Sequence, residues 1–332
     1  MTDDLEHETM EQLPTLDDAL AELTSDSDNL PSPNVLYGLS GLSVEDMARL
    51  RPVWSTLDAT YRRILMQMLV DASESNFELS YDAIGHENLN ADQAEVRQAA
   101  IELLWEDESL PLMNQLIRMA ENDEHVLVRA EAAKALGRFV LLGEVGDLPE
   151  AETQRAQTTL LNILGRDNEA VDVRRYALES IANCTRTEVT RLIDKAYKSE
   201  DDDLRASAIV AMGRTCDSRW ENIILRELED GEGDIQLESV RAAGELQLDE
   251  AVPHIVKLLA DVDDNRDLLE TIIWALGEIG GKQASRTLDL LSERAEEEND
   301  EDLITLIDDA IGSASIASGD FTMLDFSNVD EE

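Results

Sequence analysis

One ten-residue frame recurs along the chain: an aliphatic residue, usually Arg or another polar residue next, small or apolar residues at the fifth and eighth places, and Gly or a substitute at the tenth. The clearest copies run from Val128-Arg129 through Ala132, Ala135 and Gly137, and from Leu204-Arg205 through Ala208, Ala211 and Gly213. Val96, Val173, Ile235, Leu268 and Leu303 begin five more copies, and Tyr61 begins a degenerate one. Successive starts lie 35, 32, 45, 31, 31, 33 and 35 residues apart. A period of that length, holding two helices and no strand signal, predicts an α-solenoid, whose units bury their apolar faces only by stacking on one another. Function is then to be sought on extended surfaces.

The copy Val128-Arg129-Ala130-Glu131-Ala132-Ala133-Lys134-Ala135-Leu136-Gly137 resembles, without a mismatch, the second helix of the short HEAT-like repeats of the phycobilisome-lyase type. The resemblance spans residues 43–314 and rests on recurrence at a fixed phase. It implies an all-α fold, a right-handed α-solenoid of about eight stacked two-helix repeats forming an ARM-type superhelix. It also implies a structural ladder at the frame's second place, with Arg97, Arg129, Arg174 and Arg205 bonding acids and carbonyls of adjacent turns, and Asp92, Asp123, Asp172 and Asp203 as caps or partners.

The 27 basic and 74 acidic residues give a net charge of −47, which repels nucleic-acid phosphates and anionic lipid surfaces, so neither is an expected partner. Residues 1–48 hold twelve acids and no Lys or Arg, and residues 315–332 hold five and none. The organisation expected is an acidic, largely disordered arm over 1–42, a solenoid over 43–314, and an acidic-hydrophobic tail over 315–332. Leu16, Ala19, Leu20 and Leu23 sit at helical spacing inside the arm, and Phe321, Met323, Leu324 and Phe326 are apolar anchors among the acids of the tail. Ser43 with Asp46 supplies an N-cap for the first helix of the repeats. The 45-residue step carries an insertion near 143–150 that reads as a protruding loop, and the recurrent tenth-place glycines read as helix ends or as places where helices crowd.

The beginning Met1-Thr2-Asp3-Asp4 has no basic region or apolar run, and no stretch approaches the roughly 20 apolar residues of a membrane span, so a cytoplasmic protein is expected. Cys184 and Cys216 fall at nearly equivalent places of adjacent repeats and are expected to be inert thiols.

No constellation for catalysis, metal or cofactor is evident. The four His residues are scattered, and Asp261-Val262-Asp263-Asp264-Asn265 begins like a calcium loop but has Arg266 where Gly is required and Ile272 where the bidentate Glu belongs.

In HEAT-like solenoids the second helix lines the concave face, and frame places three, four, seven and eleven point away from the buried stripe. Those places bring Lys134, Arg138, Arg175, Arg214 and Arg241 together with Tyr176, Val210, Leu237 and Trp274, which form the candidate partner-binding groove. Pairing with Glu of neighbouring helices is the alternative role for the basic groups. The leading reading is a monomeric, non-enzymatic scaffold or adaptor that binds a protein or peptide in this groove, one of its own acidic tails being a candidate occupant. The resemblance also admits a bilin lyase or isomerase acting on a chromophore-bearing protein, and the charge admits an acidic decoy or chaperone for basic proteins.

Overall fold

In the computed structural model the described residues are 14–25, 31–262 and 265–317, and they hold helices and no strand. Two short helices, α1 (Leu16–Ser25) and α2 (Pro33–Gly38), come first. Eight helix pairs follow among the described residues: α3 (Val44–Thr56) and α4 (Ala59–Ser75), α5 (Asp82–Asn88) and α6 (Ala94–Leu103), α7 (Leu110–Asn122) and α8 (Val126–Val145), α9 (Glu150–Leu164) and α10 (Val171–Ile181). The series continues with α11 (Thr187–Tyr197) and α12 (Asp202–Arg214), α13 (Glu221–Asp230) and α14 (Asp234–Glu245), α15 (Val252–Leu258) and α16 (Arg266–Ile279), and α17 (Gly281–Glu298) and α18 (Glu301–Ala317). The eight frames begin the buried stripes of α4, α6, α8, α10, α12, α14, α16 and α18. Their first residues, from Tyr61 to Leu303, are all buried, and their fifth places, Leu65, Ala100, Ala132, Ala177, Ala208, Ser239, Ile272 and Ile307, are fully enclosed. Burying each of the larger aliphatic side chains contributes about 1.5–3 kcal/mol, which favours apolar or small residues at these places.

The chain divides into two compact units, residues up to Phe139 and residues from Val140, the division falling inside α8. In the first unit α3 packs on α5, α4 on α6 and α5 on α6, the solenoid pattern of pair against pair. Ser43 caps α3 in a reciprocal box: its Oγ accepts from the Asp46 N–H at 3.1 Å, and Asp46 Oδ2 accepts from the Ser43 N–H at 3.2 Å. Ordered helix begins earlier than Ser43, however. Leu16, Ala19 and Leu23 of α1 are buried against α2 and α3, and the Glu22 carboxylate accepts from Ser32 N and Oγ at 2.8 and 2.6 Å. This part of the expected disordered arm is helix because its apolar residues, spaced for one helical face, find a partner surface.

In the second unit α10, α12, α14, α16 and α18 stack in succession, and α9, α11, α13, α15 and α17 each back their own second helix, so the unit is a two-layer α-solenoid. The tenth-place glycines do not close helices. Gly213, Gly244 and Gly277 lie inside α12, α14 and α16 and none has a positive φ. A Cβ at Gly213 would stand 2.9 Å from Ala242 Cα, and one at Gly277 would stand 2.9 Å from Ala310 Cα. Glycine is used here for close helix approach, the second of the two roles the sequence suggested.

The insertion of the long step is half helix, with a four-residue turn. Gly143, Glu144 and Val145 end α8, four residues turn, and α9 starts at Glu150. Gly143 meets the Thr153 side chain, where a Cβ would be 2.1 Å from Cγ2. The extra length is thus absorbed by helices that pack, not by a protrusion.

Candidate functional site

The seven expected groove residues of the second unit lie on the exposed side of its second-helix layer. Arg175 of α10 donates from Nε to Ser207 Oγ on α12 at 3.0 Å, and its Nη1 stands 3.8 Å from Asp172 and 3.6 Å from Asp203. Arg214 of α12 reaches back to donate to the Glu179 carbonyl of α10 at 3.0 Å. Arg241 Nε is 3.4 Å from Glu238 Oε2 on α14. Tyr176, Val210, Leu237 and Trp274 are half-buried between these charges. The side chains of adjacent helices therefore clasp one another across the layer.

Glu238 and Glu245 each bury one carboxylate oxygen that accepts no hydrogen bond. Burial pushes both carboxyls up, against the opposing pull of Arg241 and Arg214. The basic residues are thus matched by carboxylates, and the layer is not a bare cationic track. At its far end a hollow of about 530 Å³ is lined by Arg241, Glu245, Asp267, Glu270, Thr271 and Trp274. Trp274 leans over Gly244, where a Cβ would come 2.7 Å from the ring.

Lys134 and Arg138, the other two expected groove residues, belong to the first unit and line a hollow of about 460 Å³. Its outer wall is a pair of exposed rings that the frame analysis did not select: Phe77, 79% exposed, and Trp105, 48% exposed, with centroids 6.4 Å apart and planes tilted by 59°. Counting from Val96, Trp105 stands at the tenth place of its frame, where five of the other copies carry Gly. That substitution is the sequence signal for this site. Phe77 lies in the turn after α4, outside any periodic pattern.

Arg138 spreads its guanidinium 5.0 Å over the buried Phe139 ring, and its Nε and Nη2 are buried without a hydrogen-bond acceptor. Burial lowers its pKa, the charges of Asp107 and Glu108 only partly opposing this. Glu131, buried beneath the hollow, stands 3.3 Å from Lys134 Nζ, and burial pushes its carboxyl up.

The four ladder arginines differ in what they hold. Arg97 makes a bidentate pair with Asp123, at 2.9 and 2.7 Å, and also donates to the Ala91 and Asp92 carbonyls at 2.8 and 3.1 Å. Arg129 donates to the Asp123 carbonyl at 2.9 Å, joining the next repeat to the same residue. Arg205 pairs with Asp202 at 3.0 Å, while Asp203 turns toward Arg175. Arg174 has its Nε buried with no acceptor.

Comparison with known proteins adds a family to this geometry: the model of HEAT repeats matches over residues 221–310. That stretch is made of HEAT repeats.

The HEAT match takes in the Arg241–Trp274 hollow and leaves the Phe77–Trp105 hollow outside it. No curated protein matches the chain. Among solved structures, the YibA protein of E. coli is 16% identical, covering 76% of this chain and 98% of its own, at a TM-score of 0.31. The Kap95:Nup1 complex is 14% identical over 90% of this chain at a TM-score of 0.43, and this chain spans 46% of that one. An engineered protein is 15% identical, covering 90% of this chain and 88% of its own, at a TM-score of 0.37.

Among the described residues no three His, Cys, Asp or Glu side chains are gathered as a metal ion would need, and no helix is long and apolar enough to cross a membrane. Asp263 and Asp264 of the calcium-like stretch, and the tail anchors Phe321, Met323, Leu324 and Phe326, lie outside the described residues. Cys184 is buried and Cys216 exposed; both are free thiols.

Proposed function

We propose that the protein is a non-enzymatic HEAT-repeat scaffold that binds another protein along the second-helix layer of its second unit. The observation that carries this reading is the alternation of half-buried Tyr176, Val210, Leu237 and Trp274 with arginines already held in place, Arg175 and Arg214 by neighbouring helices and Arg241 by Glu238 of its own helix. Arg, Tyr and Trp supply most interface energy, about 2 kcal/mol or more at a hot spot. Side chains held in place before binding lose less entropy when a partner arrives. The partner meets mixed charge and apolar area here, so its surface must itself mix acidic, basic and apolar groups.

The test places a photo-crosslinking residue at Leu237 in the full chain, with the same residue at exposed Leu290 of α17 as the comparison. A protein captured from the first position, absent from the second, and lost on Tyr176→Ala with Trp274→Ala supports the scaffold and its face. Equal capture from both positions removes this face as the binding surface.

A further inference from the structure

One joint of the ladder lacks its acid. In the first unit Asp123 stands five places before the frame start Val128 and accepts from the His125 N–H at 2.9 Å, two residues on. Its two carboxylate oxygens take Arg97, the second-place arginine of the preceding frame. In the second unit the same place before Leu204 is held by Ser199, whose Oγ accepts from the Asp201 N–H at 3.2 Å, again two residues on. The second-place arginine of the preceding frame is here Arg174. Serine thus repeats the turn that Asp123 makes and omits the charge that Asp123 supplies.

Arg174 and Ser199 line one hollow of about 540 Å³, together with Lys195, Lys198 and Asp194. The Arg174 Nε is buried without an acceptor, and no ion pair holds Arg174 or Lys195 among the described residues. A buried donor on a charged group costs free energy until an oxygen reaches it. Lys198 and Asp194 engage each other at 2.6 Å, so the hollow sets three cations against one acid that is already paired. The acids that follow in the chain are occupied elsewhere: Asp201 caps α12 by accepting from the Leu204 N–H at 2.9 Å, and Asp202 pairs with Arg205 at 3.0 Å. Repulsion from the rest of this acidic chain is screened over about 8–10 Å at ordinary salt, which leaves contact chemistry to decide.

We propose that this hollow binds a carboxylate, which occupies the place that Asp123 fills at the other joint. Its oxygens accept from Arg174 and Ser199, Lys195 adds charge, and half-buried Leu164 and Leu192 cover a short apolar body. The group is the same whether a small organic acid or an acidic side chain of a protein presents it. None of the lining residues belongs to the face proposed above for a partner protein, and neither assignment depends on the other.

The experiment titrates the full chain with sodium butyrate at constant ionic strength, with butyramide as the uncharged comparison, and follows the Arg174 Nε–H and the Leu192 methyl groups by NMR. The expected result is a saturable shift with butyrate and none with butyramide. Binding should weaken about tenfold or more on Arg174→Met, which removes the donor, and equally on Ser199→Asp, which supplies the missing carboxylate from within. Ser199→Asp should also raise the urea midpoint, so loss of binding there comes from a folded and more stable chain. Acetyl-aspartate N-methylamide, titrated in parallel, separates the sources: tighter binding than butyrate supports the site and assigns it to a protein side chain, and weaker binding supports the site and assigns it to a small organic acid. No saturable shift with either carboxylate overturns the proposal. Butyramide binding as well as butyrate overturns it too, since the apolar wall alone then suffices, as does butyrate binding that Ser199→Asp leaves unchanged.

Discussion

Asp123 closes both ends of one joint: its carboxylate takes Arg97 Nε and Nη2 at 2.9 and 2.7 Å, while its carbonyl takes Arg129 from the following helix. The side chains of the Arg97–Asp123 pair are about nine-tenths buried, so each charge depends on the other for what water would have supplied. Asp123→Ala leaves a buried guanidinium uncompensated and should cost about 3–5 kcal/mol. The double change Arg97→Met with Asp123→Leu should cost distinctly less. Urea unfolding of the three variants measures both, and equal losses would refute the coupling.

The glycines give a contrast of sign. At Gly277 an added Cβ meets backbone atoms of Ala310 at 2.9 Å, which cannot swing aside, so Gly277→Ala should destabilise by about 1–3 kcal/mol. At Gly312, inside α18, nothing lies within 4 Å of such a Cβ. Gly312→Ala should stabilise by about 0.5–1 kcal/mol through helix propensity. Thermal unfolding of the two variants decides whether packing or propensity governs each position.

Glu245 offers a test by pH. Burial holds its carboxyl above the ordinary range in the folded chain, so the folded state keeps a proton that the unfolded state gives up. Its contribution therefore falls as pH rises from the ordinary carboxylate pKa of 4.5 through the raised folded value. Glu245→Gln should raise the urea midpoint at pH 7 and leave it nearly unchanged at pH 4. A variant less stable than wild type at pH 7 would show that Arg214 and Arg241 need this carboxylate charged.

The two thiols should part under alkylation. Cys184 is 4% exposed and burial pushes its thiol up, whereas Cys216 is exposed. Iodoacetamide at pH 8 should label Cys216 in the native chain and reach Cys184 only after denaturation, as read by peptide mass spectrometry. Cys216 also holds a φ of +49°, so Cys216→Gly should stabilise rather than weaken the fold.

Periodicity made the framed helices legible because each frame start had to be apolar at a fixed phase, and Val96, Val128 and Leu204 are buried for that reason. It served less well for α1. Leu16, Ala19 and Leu23 announce a helical face, but the surface that holds them includes the six-residue α2, too short to show a period of its own. The candidate residues of the second unit sit together on one layer, with Arg241 and Trp274 sharing a hollow. Their particular partners were harder to foresee, since contacts such as Arg175 Nε with Ser207 Oγ depend on helix stacking rather than on order in the chain. Trp105 escaped because the frame admits substitutes at its tenth place, and the period alone gives a ring there no more weight than Ala182.

That ring has a further consequence. Stacked copies of one motif are nearly interchangeable, so a ligand recognising only what they share could bind equally well one step up or down the ladder. An aromatic ring at a position where five other copies carry Gly, together with Phe77 beside it, sets this one repeat apart from the rest of the series.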